Sequence, residues 1–131
     1  MDVQRKFLVL GCFFGLMAVI LGAFGAHALK EILSAEQLAS FETGVKYQMY
    51  HALVLLFLGL ENKIKPKFKQ LIYYLLMIGL VLFSFSIYGL ATNQFTSFDF
   101  KRIAFITPIG GSLLIFGWIM MLISFLKKEK K

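Results

Sequence analysis

A chain of 131 residues has room for one domain, and 59% of its residues are hydrophobic against 16% charged. With a mean hydropathy of +0.77, that much apolar surface cannot be hidden inside a soluble domain of this size. The net charge of +7 comes from lysines and arginines that bracket apolar spans, as orientation signals do, which argues against nucleic acid as a partner. The expected class is an all-α, polytopic membrane protein whose main partner is the lipid bilayer.

Residues 1–131 read as one four-helix transmembrane bundle, with helices at about 7–27, 35–60, 71–91 and 104–126. In the first, Phe7–Ala26 carries no charge. Gly11, Gly15, Ala18, Gly22 and Gly25 recur at spacings of 4, 3, 4 and 3, so their small side chains share one face. Such a face lets another helix backbone approach closely. The fourth helix has a similar stripe in Gly110, Leu114 and Gly117. The two stripes are expected to meet within one chain, with pairing between copies, or with other membrane proteins, as the other outlet. Cys12 is the sole cysteine, so an intrachain disulfide is impossible, and it reads as a small buried hydrophobe. Arg5-Lys6, the apolar run and Ala26-His27-Ala28 also have the outline of a secretory leader. The run exceeds the about 7–15 residues usual there, so a retained helix is expected.

The second helix starts at Ser34, followed three residues later by Gln37 in a capping-box pattern. Its later half, Met49–Leu60, is too short to cross a bilayer alone and must borrow from the more polar Phe41–Gln48. On a helical wheel Gly44, Gln48 and His51 share a face with Phe41 and Leu55. Glu42 and Lys46 lie opposite, in the order that favours an ion pair. His51 is nine residues from Leu60, or about 13 Å in depth, close to the midplane.

Lys63, Lys65, Pro66, Lys67 and Lys69 form a basic turn into the third helix, which opens with Tyr73 and Tyr74 and later carries Ser84 and Tyr88. A polar and aromatic loop, Asn93 to Asp99, leads to the fourth. There Thr107-Pro108 reads as an N-cap followed by a first-turn proline. Arg5 and Lys6, the four loop lysines, and Lys127, Lys128, Lys130 and Lys131 put ten basic residues on one side. Lys30, Lys46, Lys101 and Arg102 put four on the other. The positive-inside rule then places both termini in the cytoplasm.

Two readings of the polar midplane stand side by side. Ionisable groups at that depth usually face the bundle interior and mark a site, which makes His51, Gln48, Gly44, Ser84 and Tyr88 candidates for a ligand or proton site. Alternatively, His51 and Gln48 bond facing carbonyls or Ser84 and Tyr88, as a structural clasp. His27, at the end of the first helix, Thr107, Glu42 and Lys46 are interface candidates. His27 and His51 differ in depth by about half a bilayer, which argues against a bis-histidine haem, and the residues make a poor metal cluster. No metal or cofactor is expected. No phosphate loop, nucleophile elbow or carboxylate pair is present, so no catalytic residue is named.

Several strings carry a resemblance. They are Gly22-Ala-Phe-Gly-Ala-His-Ala-Leu29, Phe41-Glu-Thr-Gly with Tyr47-Gln48 and Tyr50-His-Ala-Leu53, Leu82-Phe-Ser-Phe-Ser-Ile-Tyr88, and Thr107-Pro-Ile-Gly-Gly111 with Gly117-Trp118. Together they resemble the family known as domain of unknown function 423, itself similar to eukaryotic transmembrane protein 256. The resemblance covers nearly the whole chain. It implies a small multi-pass protein of the cytoplasmic membrane, and supplies no activity, substrate or catalytic residue. Phe85 departs from the pattern, which more often has glycine between the two serines. The expected function is a non-enzymatic structural, assembly or regulatory role. The alternative is a small-solute or ion conduit using Gln48 and His51.

Overall fold

The computed structural model describes residues 2–127, and every regular element among them is helical. The helices are α1 (Val3–His27), α2 (Ala35–Leu60), α3 (Pro66–Ala91) and α4 (Ile106–Leu126). Single 3-10 turns at Leu29–Glu31, Asn93–Phe95 and Phe100–Ile103 lie in the connections. Lys128, Lys130 and Lys131, counted above in the basic tail, lie outside the described residues.

Helix ends follow local chemistry. α1 begins ahead of its apolar span because the Asp2 carboxylate accepts the Arg5 N–H at 2.8 Å. A negative charge there also suits the helix dipole. At α2 the Ser34 hydroxyl accepts from Gln37 N–H at 3.1 Å, and the Gln37 side chain accepts from Ser34 N–H at 3.0 Å, a complete capping box. α3 begins at Pro66, so half of the expected basic turn is helical. Proline at a first helical position sacrifices no hydrogen bond. Thr107 is not an N-cap. α4 already starts at Ile106, after a 3-10 lead-in, which leaves Thr107 inside the helix with its hydroxyl available for another bond.

The chain runs up and down as two hairpins. α1 packs along α2, α3 packs along α4, and α2 against α3 joins the pairs. The starts of α1 and α3 and the ends of α2 and α4 share one end. There Phe7 meets Tyr73 edge-on at 5.2 Å, and the Lys127 ammonium sits 4.6 Å from the Phe68 ring centre. α1, α3 and α4 are each long and apolar enough to cross a membrane by length and composition. α2 is as long, at 26 residues, but holds Glu42, Lys46, Gln48 and His51. It buries the last two against its neighbours. Large side chains such as Leu16, Val19, Ile115 and Leu122 point outward, as helices solvated by lipid require. Cys12 faces outward as well, not into the bundle.

The small-residue stripes do not meet each other. A methyl group at Gly11 would come within 2.9 Å of Leu56 and 3.0 Å of the Ala52 carbonyl oxygen, and one at Gly25 within 2.8 Å of Phe41. Those neighbours belong to α2. On α4, a methyl at Gly110 would meet the Phe83 backbone and come within 2.8 Å of the Gly79 carbonyl oxygen, both on α3. Each stripe serves its own hairpin, against the helix adjacent in sequence. Gly15 is looser, with Ala52 at 3.8 Å, so the two members of the Gly11/Gly15 pair are unequal.

Candidate functional site

Two apolar cores fill the bundle. One, at the lysine-rich end, is built around Phe7, Phe14, Leu55, Ile72 and Leu76. The other, at the far end, contains Leu29, Leu33, Phe41, Tyr88 and Ala91. Between them lies a layer of polar side chains drawn from three helices.

Gln48 is at its centre and fully buried. Its amide nitrogen donates to the Phe14 carbonyl of α1 at 2.9 Å, and its amide oxygen accepts from the Tyr88 hydroxyl of α3 at 2.7 Å. The orientation of the amide is dictated, because a carbonyl can only accept and so must face the NH2. One turn before Gln48, the Gly44 carbonyl accepts from the Ser84 hydroxyl at 3.1 Å. Ser84 and Tyr88 are themselves one turn apart on α3, so the two bonds form rungs between matching faces. Gly44 is required here: a methyl group on it would lie 2.6 Å from the Tyr88 ring. Phe41 packs against that ring at 5.0 Å between centres.

His51 stands apart from Ser84 and Tyr88. Its Nδ1 lies 2.7 Å from the Tyr47 carbonyl, and its Nε2 lies 3.1 Å from the Trp118 indole nitrogen of α4. Indole N–H only donates, so Nε2 must accept, and the proton of the neutral ring resides on Nδ1, donated to Tyr47. His51 therefore bonds α4 and not α3, a division that the wheel pattern of α2 does not convey.

The interface candidates separate further. Glu42 and Lys46 are both exposed and form no ion pair. An exposed pair of long side chains returns at most about 1 kcal/mol against the entropy of holding it, so little favours its closure. His27 is exposed at the last residue of α1. Thr107 bridges α4 to α3: its hydroxyl is 2.6 Å from that of Ser86, which in turn donates to the Phe83 carbonyl at 2.9 Å. Phe85, the departure from the family pattern, is 43% exposed and packs edge-on against Tyr88 at 5.8 Å between ring centres.

Sequence reasoning missed one buried pair. The Lys69 ammonium meets the Glu61 carboxylate at 2.9 Å and also donates to the Glu61 carbonyl. The second carboxylate oxygen accepts from the N–H groups of Lys63 at 2.8 Å and Ile64 at 3.2 Å. Glu61 is the lone acid in a lysine-rich connection, and that singularity was the available signal. Among the described residues no three His, Cys, Asp or Glu side chains gather as metal ligands.

A family profile described as protein of unknown function (DUF423) matches residues 21–111. A UPF0382 membrane protein of Staphylococcus saprophyticus is 43% identical over 124 residues, covering 95% of this chain and 99% of its own. A counterpart in Haemophilus influenzae is 40% identical over 119 residues, 91% and 92% of the two chains. The UPF0382 inner membrane protein YgdD of Escherichia coli K12 is 34% identical over 131 residues, 98% of this chain and 95% of its own. No solved structure matches. With relatives so named and three helices of spanning length, the chain is a multi-pass protein of the cell membrane.

Proposed function

The chain belongs to the DUF423 family, and within it we propose that the protein is a non-enzymatic membrane component that acts through its outer surfaces, in a structural, assembly or regulatory role. Its midplane polar layer then serves to hold its own helices together. Gln48 carries this reading. It is fully buried, and its amide nitrogen and oxygen are bonded to α1 and α3, so the side chain is spent on holding three helices together and presents no surface to a solute. Ser84, at 1% exposure, is engaged in the same way. In hydrocarbon, a polar group left unbonded costs several kcal/mol, so satisfied groups of this kind hold helices in register. The lysine-rich end, which holds the starts of α1 and α3 and the end of α4, is assigned to the cytoplasm by its excess of basic residues.

The test is reconstitution of the purified protein into liposomes, with proton and small-solute flux followed from pH 5 to 8, the range in which histidine titrates. The expected flux equals that of empty liposomes. Flux above that level, abolished by His51→Leu in a variant of unchanged helicity and melting temperature, would favour a conduit and overturn the proposal.

A further inference from the structure

At the lysine-rich end, the first turn of α1, the α2–α3 connection and the start of α3 line a half-open cavity of about 550 Å³. Lys6, Asn62, Lys69 and Gln70 supply polar walls, and Val3 and Ile64 apolar ones. We propose that this cavity binds the phosphate of an anionic phospholipid headgroup.

The donors are in place and incompletely used. Lys69 is 3% exposed and lines the cavity. Of the three protons of its ammonium, one is donated to the Glu61 carbonyl, and the Glu61 carboxylate lies 2.9 Å away as an ion pair whose nearer oxygen accepts no hydrogen bond among the described residues. Glu61 holds the ammonium in position while its own second oxygen is occupied by the Lys63 and Ile64 N–H groups. Beside Lys69, α3 starts at Pro66, so the positive end of its helix dipole stands at the cavity. α1 starts at the same cavity, with Lys6 in its first turn. Asp2 is the one acid in the lining, and its carboxylate accepts from the Arg5 N–H.

Depth selects a lipid over a free anion. Tyr73 and Tyr74 lie about one turn beyond Lys69 along α3, or roughly 6 Å. Tyrosines at the end of a membrane helix sit at the boundary of headgroups and hydrocarbon. A basic cavity one turn outward is at headgroup level, and its Val3 and Ile64 walls suit the glycerol region better than a hydrated ion.

Full-length protein in mild detergent provides the test, by native mass spectrometry and thermal unfolding with phosphatidylglycerol, phosphatidylcholine or inorganic phosphate added. Phosphatidylglycerol should be retained about fivefold or more over phosphatidylcholine and should raise the melting temperature, while inorganic phosphate should not. Lys6→Gln should reduce the preference about fivefold, the effect of one lysine near an anionic lipid. Gln70→Leu should reduce it too, so the test stands if either variant fails to fold. Lys65→Gln removes an exposed charge outside the lining and should leave the preference intact. Equal retention of the two lipids, an equal loss in Lys65→Gln, or equal stabilisation by inorganic phosphate would overturn the proposal.

Discussion

Inside each hairpin glycines let the helices approach closely, whereas between the hairpins it is polar side chains that supply the hydrogen bonds. Gly11 and Gly25 admit α2 to α1, and Gly79 and Gly110 admit α3 and α4 to each other. The hydrogen bonds across the seam are Tyr88 to Gln48, Ser84 to Gly44 and Trp118 to His51. The two devices differ in what they specify. Close packing of small residues depends on shape and tolerates sliding by a residue or two. A hydrogen bond in hydrocarbon fixes one register, because any other leaves its groups bare. Proximity in sequence brings the members of a hairpin together, and the polar seam determines how the hairpins dock.

The largest effect is expected where backbone meets backbone. Gly110→Leu places a side chain against the Phe83 and Gly79 backbones, which cannot move aside, and should cost about 3 kcal/mol or more. Gly15→Ala, with Ala52 at 3.8 Å, should stay within about 0.5 kcal/mol of wild type. Thermal unfolding in detergent distinguishes them, and equal losses would break the assignment of each stripe to its own hairpin.

The seam is expected to be the intermediate case. A double-mutant cycle on Gln48→Leu and Tyr88→Phe should return a coupling of about 0.6 kcal/mol and no more than about 1.7, the mean and the maximum for interhelical hydrogen bonds in a membrane protein. A coupling of zero would mean that the Tyr88 ring alone, seated on Gly44, aligns the hairpins.

The smallest effect lies outside the membrane, in the α3–α4 connection. The Lys101 backbone N–H, and then the Asn93 amide, hold the Asp99 carboxyl below its ordinary value of 3.8. A lowered value means that the bonds are fully present above the ordinary carboxylate range and are lost as pH falls through the lowered one. Carboxyl NMR should show Asp99 titrating below a free aspartate, with the bundle melting temperature falling only slightly across that step. A normal midpoint would remove the Asn93–Asp99 link from the comparison.

Much of this was legible because it is periodic. The four apolar stretches, the Ser34 cap and the shared face of Gly44, Gln48 and His51 follow from spacing alone. Partners were not. A stripe of small residues says that a backbone comes close without saying whose, which is why the α1 and α4 stripes were matched to each other. α4 is apolar on every side, so nothing in its sequence turns Trp118 toward His51. The Glu61–Lys69 pair depended on helix α3 beginning at Pro66. With Lys69 read as part of a turn, its ammonium had no reason to be buried.

Gln48 reaches back to α1, made before it, as well as forward to α3, made after it. Its bond to Phe14 lies inside the first hairpin and its bond to Tyr88 crosses to the second, so one amide joins three helices, and a substitution at Gln48 disturbs both the hairpin and the docking of its neighbour.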